Sequence, residues 1–155
     1  MPVRPATPAD VPVLHAMIRE LAAYEKILHE VVATEEDTAR ALFGPRPAAE
    51  ALIGLVDGEP SGFAVFYPFY STFAGRQCLY LEDIYVRPAS RRVGLGRELI
   101  DAFFRTARER GCPKVEWRVL RWNEPALAFY RSLGADVLDE WVPTRLTLVP
   151  PPPAS

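Results

Sequence analysis

Residues 78–110 constrain the fold of this chain more than any other stretch. They read CLYLEDIYV, then the glycine-containing loop RPASRRVGLG, then a helical pattern in which Leu95, Leu99, Ile100 and Phe103 share one face. The short apolar run is typical of a buried strand, and the later spacing is typical of an amphipathic helix. Because a buried strand and a one-sided helix both need a shared core, the stretch predicts a sheet covered by helices.

Two adjacent carboxylates, Glu82 and Asp83, interrupt the predicted strand. Burial of an ionised carboxylate is costly unless the group is paired or solvated. One explanation is structural: Glu82 forms a buried ion pair with an arginine such as Arg118. The other is functional: a wet acidic site opens in the middle of the sheet. Because successive side chains of a strand point to opposite faces, Asp83 faces away from Glu82 unless a bulge bends the strand.

The remaining hydrophobic patterns and turn signals predict a mixed α/β sheet packed by helices. TPAD at 7–10 and TEED at 34–37 are typical helix starts, and Asp57-Gly58 is typical of a hairpin turn. The predicted strands are 3–5, 51–56, 63–70, 78–86, 114–120, 137–141 and 144–149, and the longer predicted helices after the loop are 94–110 and 123–133.

The composition excludes several classes of function. Of the 155 residues, 49% are hydrophobic, which is enough for the core of one domain. The net charge of −2 argues against a nucleic-acid surface, and no apolar run approaches the roughly 20 residues of a membrane span. No CxxC pair or histidine spacing suggests a metal site. No signal peptide is apparent, so we expect a cytoplasmic protein.

The loop RRVGLGREL, residues 91–99, has the features of an anion site. Gly94 and Gly96 let the backbone approach a ligand closely, and the free N–H groups of the helix start favour a phosphate there. Arg91, Arg92 and Arg97 add positive charge. Taken alone, two glycines at a helix start also fit a tight turn. The GxxxxGK[ST] pattern of a P-loop is absent, and the third glycine of a dinucleotide fingerprint is missing.

The spacing Arg91-x-x-Gly94-x-Gly96 after YLEDIYVRP resembles the acetyl-CoA motif of the GNAT superfamily of N-acetyltransferases. VRPATPAD, ELAAYEK, LYLEDIYV and WNEPALAFYRSLGA, in this order along the chain, resemble the diamine acetyltransferase group, which includes spermidine/spermine and thialysine N-acetyltransferases. The resemblance implies an α/β (α+β) three-layer α/β/α fold with a mixed, mostly antiparallel central sheet splayed at its centre. It also implies one N-acetyltransferase domain over 1–149 and a homodimer. The composition of the segment PPPPAS, residues 150–155, predicts a proline-rich disordered tail.

The resemblance further implies acetyl-CoA as cofactor and assigns it to three segments. The backbone at the end of the LYLEDIYV strand pairs with the pantetheine arm and polarises the thioester carbonyl. The glycine loop binds the pyrophosphate, and the start of the WNEPALAFY helix lies beside the pantetheine arm. The matching residues are Ile84, Tyr85, Val86, Arg91, Arg92, Val93, Gly94, Leu95, Gly96, Arg97, Asn123, Glu124, Pro125 and Ala126.

Two side chains match the catalytic positions. Tyr130 lies seven residues after Asn123, so the two share a helix face. The resemblance makes Tyr130 the proton donor to the departing thiolate, a role that suits a phenol with a pKa near 10; the alternative is an ordinary core aromatic. Glu82 is the candidate base, directly or through water, because partial desolvation raises a carboxyl pKa.

The matching substrate positions point to a small amine. They are Tyr24, Glu25, Glu82, Asp83, Glu116, Trp117, Arg118 and Glu140. The segment YSTFAGRQ, residues 70–77, lacks the acid that polyamine enzymes of this group carry, and in this respect it resembles the thialysine branch. We therefore expect acetyl transfer to a thialysine-like or lysine-like amine, or to a diamine or polyamine. The alternatives are a non-catalytic CoA-binding regulatory protein and a protein lysine acetyltransferase.

Overall fold

The computed structural model describes residues 2–150 of the chain. The chain divides into two compact units, Met1–Trp117 and Arg118–Ser155. Within the described residues, the larger unit holds five strands and three α-helices, and the smaller unit holds a fourth α-helix. The strands are β1 (Val3–Pro5), β2 (Glu50–Val56), β3 (Glu59–Ser71), β4 (Arg76–Val86) and β5 (Val115–Trp117), and the helices are α1 (Val11–Tyr24), α2 (Glu35–Phe43), α3 (Leu95–Glu109) and α4 (Glu124–Ser132).

Two predictions concern the extent of the domain. The assignment of one N-acetyltransferase domain to 1–149 stays a prediction. The predicted disordered tail at 150–155 falls, after Pro150, outside the described residues.

The five strands form one mixed sheet in the order β1-β2-β3-β4-β5. The first four strands are antiparallel to their neighbours, and β5 is parallel to β4. The predicted turn at Asp57 and Gly58 joins β2 to β3 with φ angles of 51° and 81°, as a tight hairpin turn requires. The prediction of a mixed, mostly antiparallel sheet is confirmed.

Helices cover both faces of the sheet, which gives the three predicted layers. On one face, Leu14 and Met17 of α1 pack with Ile53 of β2 in a buried cluster. On the other face lies α3, because a Cβ atom placed on Gly54 would come within 2.8 Å of the Leu95 side chain. Adjacent positions of a strand point to opposite faces, so α1 and α3 lie on opposite sides of the sheet.

The parallel pairing of β4 with β5 is short, and this produces the predicted splay. Only Leu79, Tyr80 and Leu81 pair with residues of β5. The strand β4 continues to Val86. Within residues 2–150, no strand pairs with 82–86 on the side of β5, so these residues form an open edge near the middle of the sheet.

The two strands predicted at 137–141 and 144–149 are wrong, since neither segment is a strand in the structure. The apolar alternation there, as at Leu146 and Leu148, stays exposed at 81% and 85%. A strand needs a partner to satisfy its backbone groups, and propensity alone does not supply one. For the same reason β5 covers 115–117 rather than the predicted 114–120.

Candidate active site

A β-bulge lies at the carboxylate pair of β4. Asp83 is opposite Val65 of β3, whereas Leu81 is opposite Phe66, the next residue. Glu82 therefore has no partner in β3, and the register of the two strands shifts at this point. Bulges of this kind bend a strand and redirect its side chains.

The bulge determines which face of the sheet Asp83 reaches. Phe66 lies on the side of α3, since its ring centroid is 5.4 Å from that of Phe103. Val65 lies on the opposite side, where it packs against the buried cluster under α1. Because directly opposed residues of two strands point to the same face, Asp83 points toward α1 with Val65.

Glu82 also points to the side of α1. The Tyr67 hydroxyl donates a hydrogen bond to Glu82 Oε2 at 3.3 Å, and Tyr67 follows Phe66 in β3, so its side chain lies on the face away from α3. The Tyr67 ring stacks on Tyr80 with centroids 5.2 Å apart. Glu82 is exposed, so the alternative of a buried ion pair does not hold for this residue.

Asp83 has a strongly raised pKa. It is partly buried, and burial, followed by the negative charges of Glu82 and Glu25, raises its pKa from 3.8 to about 7. A carboxyl group of this kind holds or releases a proton near neutral pH. The sequence predicted Glu82 as the base and could not locate the bulge that turns Asp83 to the same face.

A cavity of about 190 Å³ lies beside Asp83, between this residue, α1 and the loop that follows α1. Burial raises the pKa of Glu25, another wall residue, as well. Three of the lining residues carry carboxyl groups and the other five are apolar. This lining suits a ligand with a cationic group on an aliphatic chain. The lining residues are Ile18, Leu21, Ala22, Glu25, Ile27, Glu30, Val31 and Asp83.

Six of the eight lining residues were not predicted as site residues. Ile18, Leu21 and Ala22 belong to α1. Ile27, Glu30 and Val31 lie in the connection between α1 and α2, where the backbone makes only one short 3₁₀ turn, Leu28–Glu30. Apolar residues outside a helical or strand period give no periodic signal. The apolar residues Ile27 and Val31 on either side of Glu30 are a weak signal that could have suggested a pocket wall.

The glycine loop presents its backbone at the start of α3. Gly94 is the N-cap residue with φ 87°, a left-handed conformation that favours glycine. A Cβ atom on Gly94 would meet nothing within 4 Å, and one on Gly96 would meet only Val86 Cγ2 at 3.8 Å. The first N–H groups of α3 are thus approachable. Arg92 has φ 68°, which is uncommon for a residue with a side chain.

The three loop arginines have different surroundings. Arg97 pairs with Asp101 on the same helix, with Nε 2.9 Å from Oδ2. Arg91 turns back to the sheet, where its Nε donates to the Val86 carbonyl at 2.9 Å. The exposed loop backbone, with the open edge at 84–86 just before it, fits a ligand that carries phosphate groups and an extended arm, as CoA does.

The other predicted substrate residues of the larger unit lie in β5. Glu116 is 3.3 Å from Lys114 in an ion pair, and the Trp117 ring lies 6.2 Å from Phe104 of α3. Trp117 is therefore on the side of α3, whereas Glu25 and Asp83 meet on the side of α1. The contact of Glu116 and Trp117 with a substrate stays a prediction.

The smaller unit holds the remaining candidates, Arg118, Asn123 to Ala126, Tyr130 and Glu140. Asn123 is the N-cap of α4, and its Oδ1 accepts a hydrogen bond from Ala126 N at 3.3 Å. The ring centroids of Tyr130 and its neighbour Phe129 are 5.5 Å apart. The predicted helix start is confirmed, while the roles of these residues in binding and catalysis stay predictions.

Two negative observations apply to residues 2–150. No helix there is long and apolar enough to cross a membrane. No group of three or more histidine, cysteine, aspartate or glutamate side chains there is arranged to hold a metal ion.

Comparison with known proteins agrees with this fold. Residues 15–135 match the model of the Acetyltransferase (GNAT) family, and the chain belongs to that family. It is an acetyltransferase of the acyl-transferring class EC 2.3.1, as predicted.

Curated relatives cover most of the chain. An L-ornithine N5-acetyltransferase of Arabidopsis thaliana is 32% identical over 94% of this chain and 83% of its own length. Thialysine N-epsilon-acetyltransferases of Sus scrofa and Caenorhabditis elegans are 38% and 40% identical, over 89% and 82% of this chain and 85% and 78% of theirs. An aminoglycoside acetyltransferase structure from a soil metagenome superposes with a TM-score of 0.78 at 21% identity, covering 95% of each chain, which shows the shared fold.

Proposed function

We propose that this protein transfers the acetyl group of acetyl-CoA to the primary amine of a small, lysine-like molecule or a short diamine. The observation that carries the proposal is the acidic cavity of about 190 Å³ beside Asp83. Its carboxylates attract an ammonium group, and its apolar walls accommodate methylene groups.

The lining of the cavity supports a short amine acceptor. Its acidic residues, Glu25, Glu30 and Asp83, lie together with five apolar residues in one space of about 190 Å³, which suits one ammonium group on a short aliphatic chain. The names of two curated relatives contain ornithine and thialysine. Each of these compounds carries an amine on a short side chain, so the relatives also support a short amine acceptor.

The residues of β4 perform the first chemical task, which is to remove a proton from the amine. An ammonium has no free electron pair, so it must lose a proton before it can attack. A base is most effective when its pKa lies near the working pH. Asp83, with a pKa of about 7, meets this condition and lines the cavity, and we propose it as the proton acceptor. Glu82, held by the Tyr67 hydroxyl, adds negative charge beside it.

Acetyl-CoA, when bound, supplies the thioester whose acetyl group is transferred. The loop from Arg92 to Arg97 would hold its pyrophosphate through the first N–H groups of α3. Backbone groups of 84–86 would hold its extended arm. Tyr130 keeps a proton on its hydroxyl oxygen for the departing sulfur. The homodimer and the cytoplasmic location stay predictions; light scattering tests the first and fractionation of cells tests the second.

An acetyl-CoA assay over a panel of amines tests the proposal. Thiol release should be fastest with ornithine-like and lysine-like amines or short diamines, and slower with spermine. Asp83→Asn should lower turnover by about 10²-fold, the size typical of a lost general base. The matched control is Asp57→Asn, which makes the same change in an exposed turn.

Three results would contradict the proposal. Binding of CoA without thiol release on any amine would favour a non-catalytic CoA-binding protein. Faster reaction with lysine peptides than with free amines would favour a protein acetyltransferase. Unchanged turnover in Asp83→Asn would remove Asp83 from the proton transfer.

A further inference from the structure

Two glycines face each other in the interior of the sheet, under the first turns of α3. Gly54 of β2 is opposite Gly62 of β3, and both residues are buried. Glycine weakens the interior of a strand, because it loses more conformational freedom on folding than alanine does. Neither residue has the positive φ that favours glycine, so the pair needs another explanation.

The close approach of α3 explains Gly54. A Cβ atom on this residue would lie 2.8 Å from Leu95 Cδ1, 3.1 Å from its Cγ and 3.2 Å from its Cδ2. Leu95 is the first residue of α3 and is only 3% exposed, so its side chain has no open space to move into. Because position 54 carries no side chain, the first residue of the helix packs against the backbone of β2.

Gly62 lies where the helix and the open edge of β4 meet. A Cβ atom on Gly62 would be 2.7 Å from the Tyr85 carbonyl oxygen and 3.2 Å from both Leu99 Cδ1 and Val86 Cγ2. Tyr85 and Val86 belong to the open edge, whereas Leu99 belongs to α3. Val86 Cγ2 also faces the glycine loop, since a Cβ atom on Gly96 would be 3.8 Å from it. The missing side chain of Gly62 therefore lets the open edge and the start of α3 come together.

The residues under α3 become larger further along the helix. On the face of β3 that α3 covers, Gly62 is followed by Ala64 and Phe66, and the Phe66 ring centroid is 5.4 Å from that of Phe103. The first turns of the helix can therefore approach the sheet backbone more closely than the third turn can. The closeness of this approach decides where the free N–H groups of the helix start lie relative to residues 84–86.

We propose that Gly54 and Gly62 are positioning residues for the cofactor: they set the spacing between the start of α3 and residues 84–86 of the open edge. This inference rests on the part of the proposed function that assigns the pyrophosphate of CoA to the helix start and its extended arm to the edge. One ligand that occupies both places binds well only when their spacing matches its length. The two glycines act through the backbone of the helix and the strands rather than through contact with the ligand.

Gly54→Ala changes this spacing from the side of the helix. The added methyl group should push the start of α3 away from the sheet, so the Kd of CoA, measured by calorimetry, should rise by about tenfold, a size typical of one extra methyl group in a packed site. ADP carries only the pyrophosphate part and pantetheine only the arm. Their Kd values, measured by NMR titration, should change less than about twofold, because each occupies one place alone.

Three further variants separate a change of spacing from general damage. Gly54→Ala/Leu95→Val removes one carbon atom where the first substitution adds one, and it should restore most of the CoA affinity. Ile53→Val removes a methyl group on the opposite side of β2, in the cluster under α1. It should lower the melting temperature as Gly54→Ala does but leave the Kd of CoA unchanged. Gly62→Ala should weaken the binding of pantetheine as well as that of CoA, because its methyl group would displace the Tyr85 carbonyl of the open edge.

Three results would overturn the inference. The first is an unchanged Kd of CoA in Gly54→Ala. The second is an equal loss of affinity for CoA and for ADP in that variant, which would mean that the substitution damages the phosphate site itself. The third is a loss of CoA affinity in Ile53→Val as large as that in Gly54→Ala. These measurements need no acceptor, so if CoA binds but no amine reacts, the proposed acetyl transfer fails while the Kd values still test the two glycines.

Discussion

Removing the charge of Asp83 should change how the stability of the protein depends on pH. The folded protein holds this carboxyl with a pKa of about 7, whereas its ordinary value is 3.8. A group whose pKa is raised on folding favours the folded state most below the unfolded pKa, and this advantage disappears as the pH rises through the folded pKa. The wild-type protein should therefore lose stability between about pH 4 and pH 7.

The size of the effect follows from the difference between the two pKa values. A difference of about 3 corresponds to about 4 kcal/mol at 1.36 kcal/mol for each unit of pH. Because Asp83 is only partly buried, solvent screens the charge, and we expect about 2–4 kcal/mol. Asp83→Asn keeps the shape of the side chain but does not titrate. Its stability should fall less than that of the wild type over this range.

Urea unfolding of the two proteins at several pH values between 4 and 8 measures the difference. The other carboxyl groups titrate in both proteins, so most of their contribution cancels in the comparison. Asp57→Asn, in the exposed turn between β2 and β3, should follow the wild-type curve. A constant difference between Asp83→Asn and the wild type across this range would refute the argument, because it would mean that Asp83 titrates normally.

Three further predictions address the acid-side stability, the loop and the proton donor. Arg4 holds the pKa of Asp10 at about 2 through a 2.7 Å ion pair, so the stabilisation by this pair is complete above pH 4 and is lost as the pH falls through 2. In Asp10→Asn, thermal unfolding at pH 7 should show a free energy of unfolding lower by about 1–2 kcal/mol. An equal decrease at pH 2 would contradict the assignment. Gly94→Ala should weaken CoA binding in calorimetry and lower the melting temperature, since the left-handed backbone at φ 87° costs a residue with a side chain about 1–2 kcal/mol. Tyr130→Phe should lower turnover with little change of CoA affinity, and unchanged kcat would remove its proposed role.

Local signals predicted much of the fold correctly. Asn123 caps α4 and Gly134, with φ 88°, follows its end, because capping depends on a few neighbouring residues. The strand–loop–helix unit around Gly94 is also as predicted. Each of these features is encoded within about ten residues, so one sequence is enough to recognise it.

Features that depend on two distant segments could not be predicted. The bulge at Glu82 results from the register of β4 on Val65 and Phe66 of β3, and no residue of β4 alone specifies it. The cavity wall from Ile27 to Val31 lies in a connection without periodicity. The strand predicted at 144–149 has the right residues, but residues 2–150 offer it no partner strand.

The bulge places two consecutive side chains of β4 on the same face of the sheet, which a regular strand cannot do. In a regular strand, two side chains on the same face are at least two residues apart, about 7 Å along the strand. Here two consecutive residues, Glu82 and Asp83, both point toward α1. The chain thus concentrates two negative charges in the space of one residue step, without a second acidic strand. A single inserted residue has raised the local density of charge, and this charge adds to burial, the larger cause, in raising the pKa of Asp83.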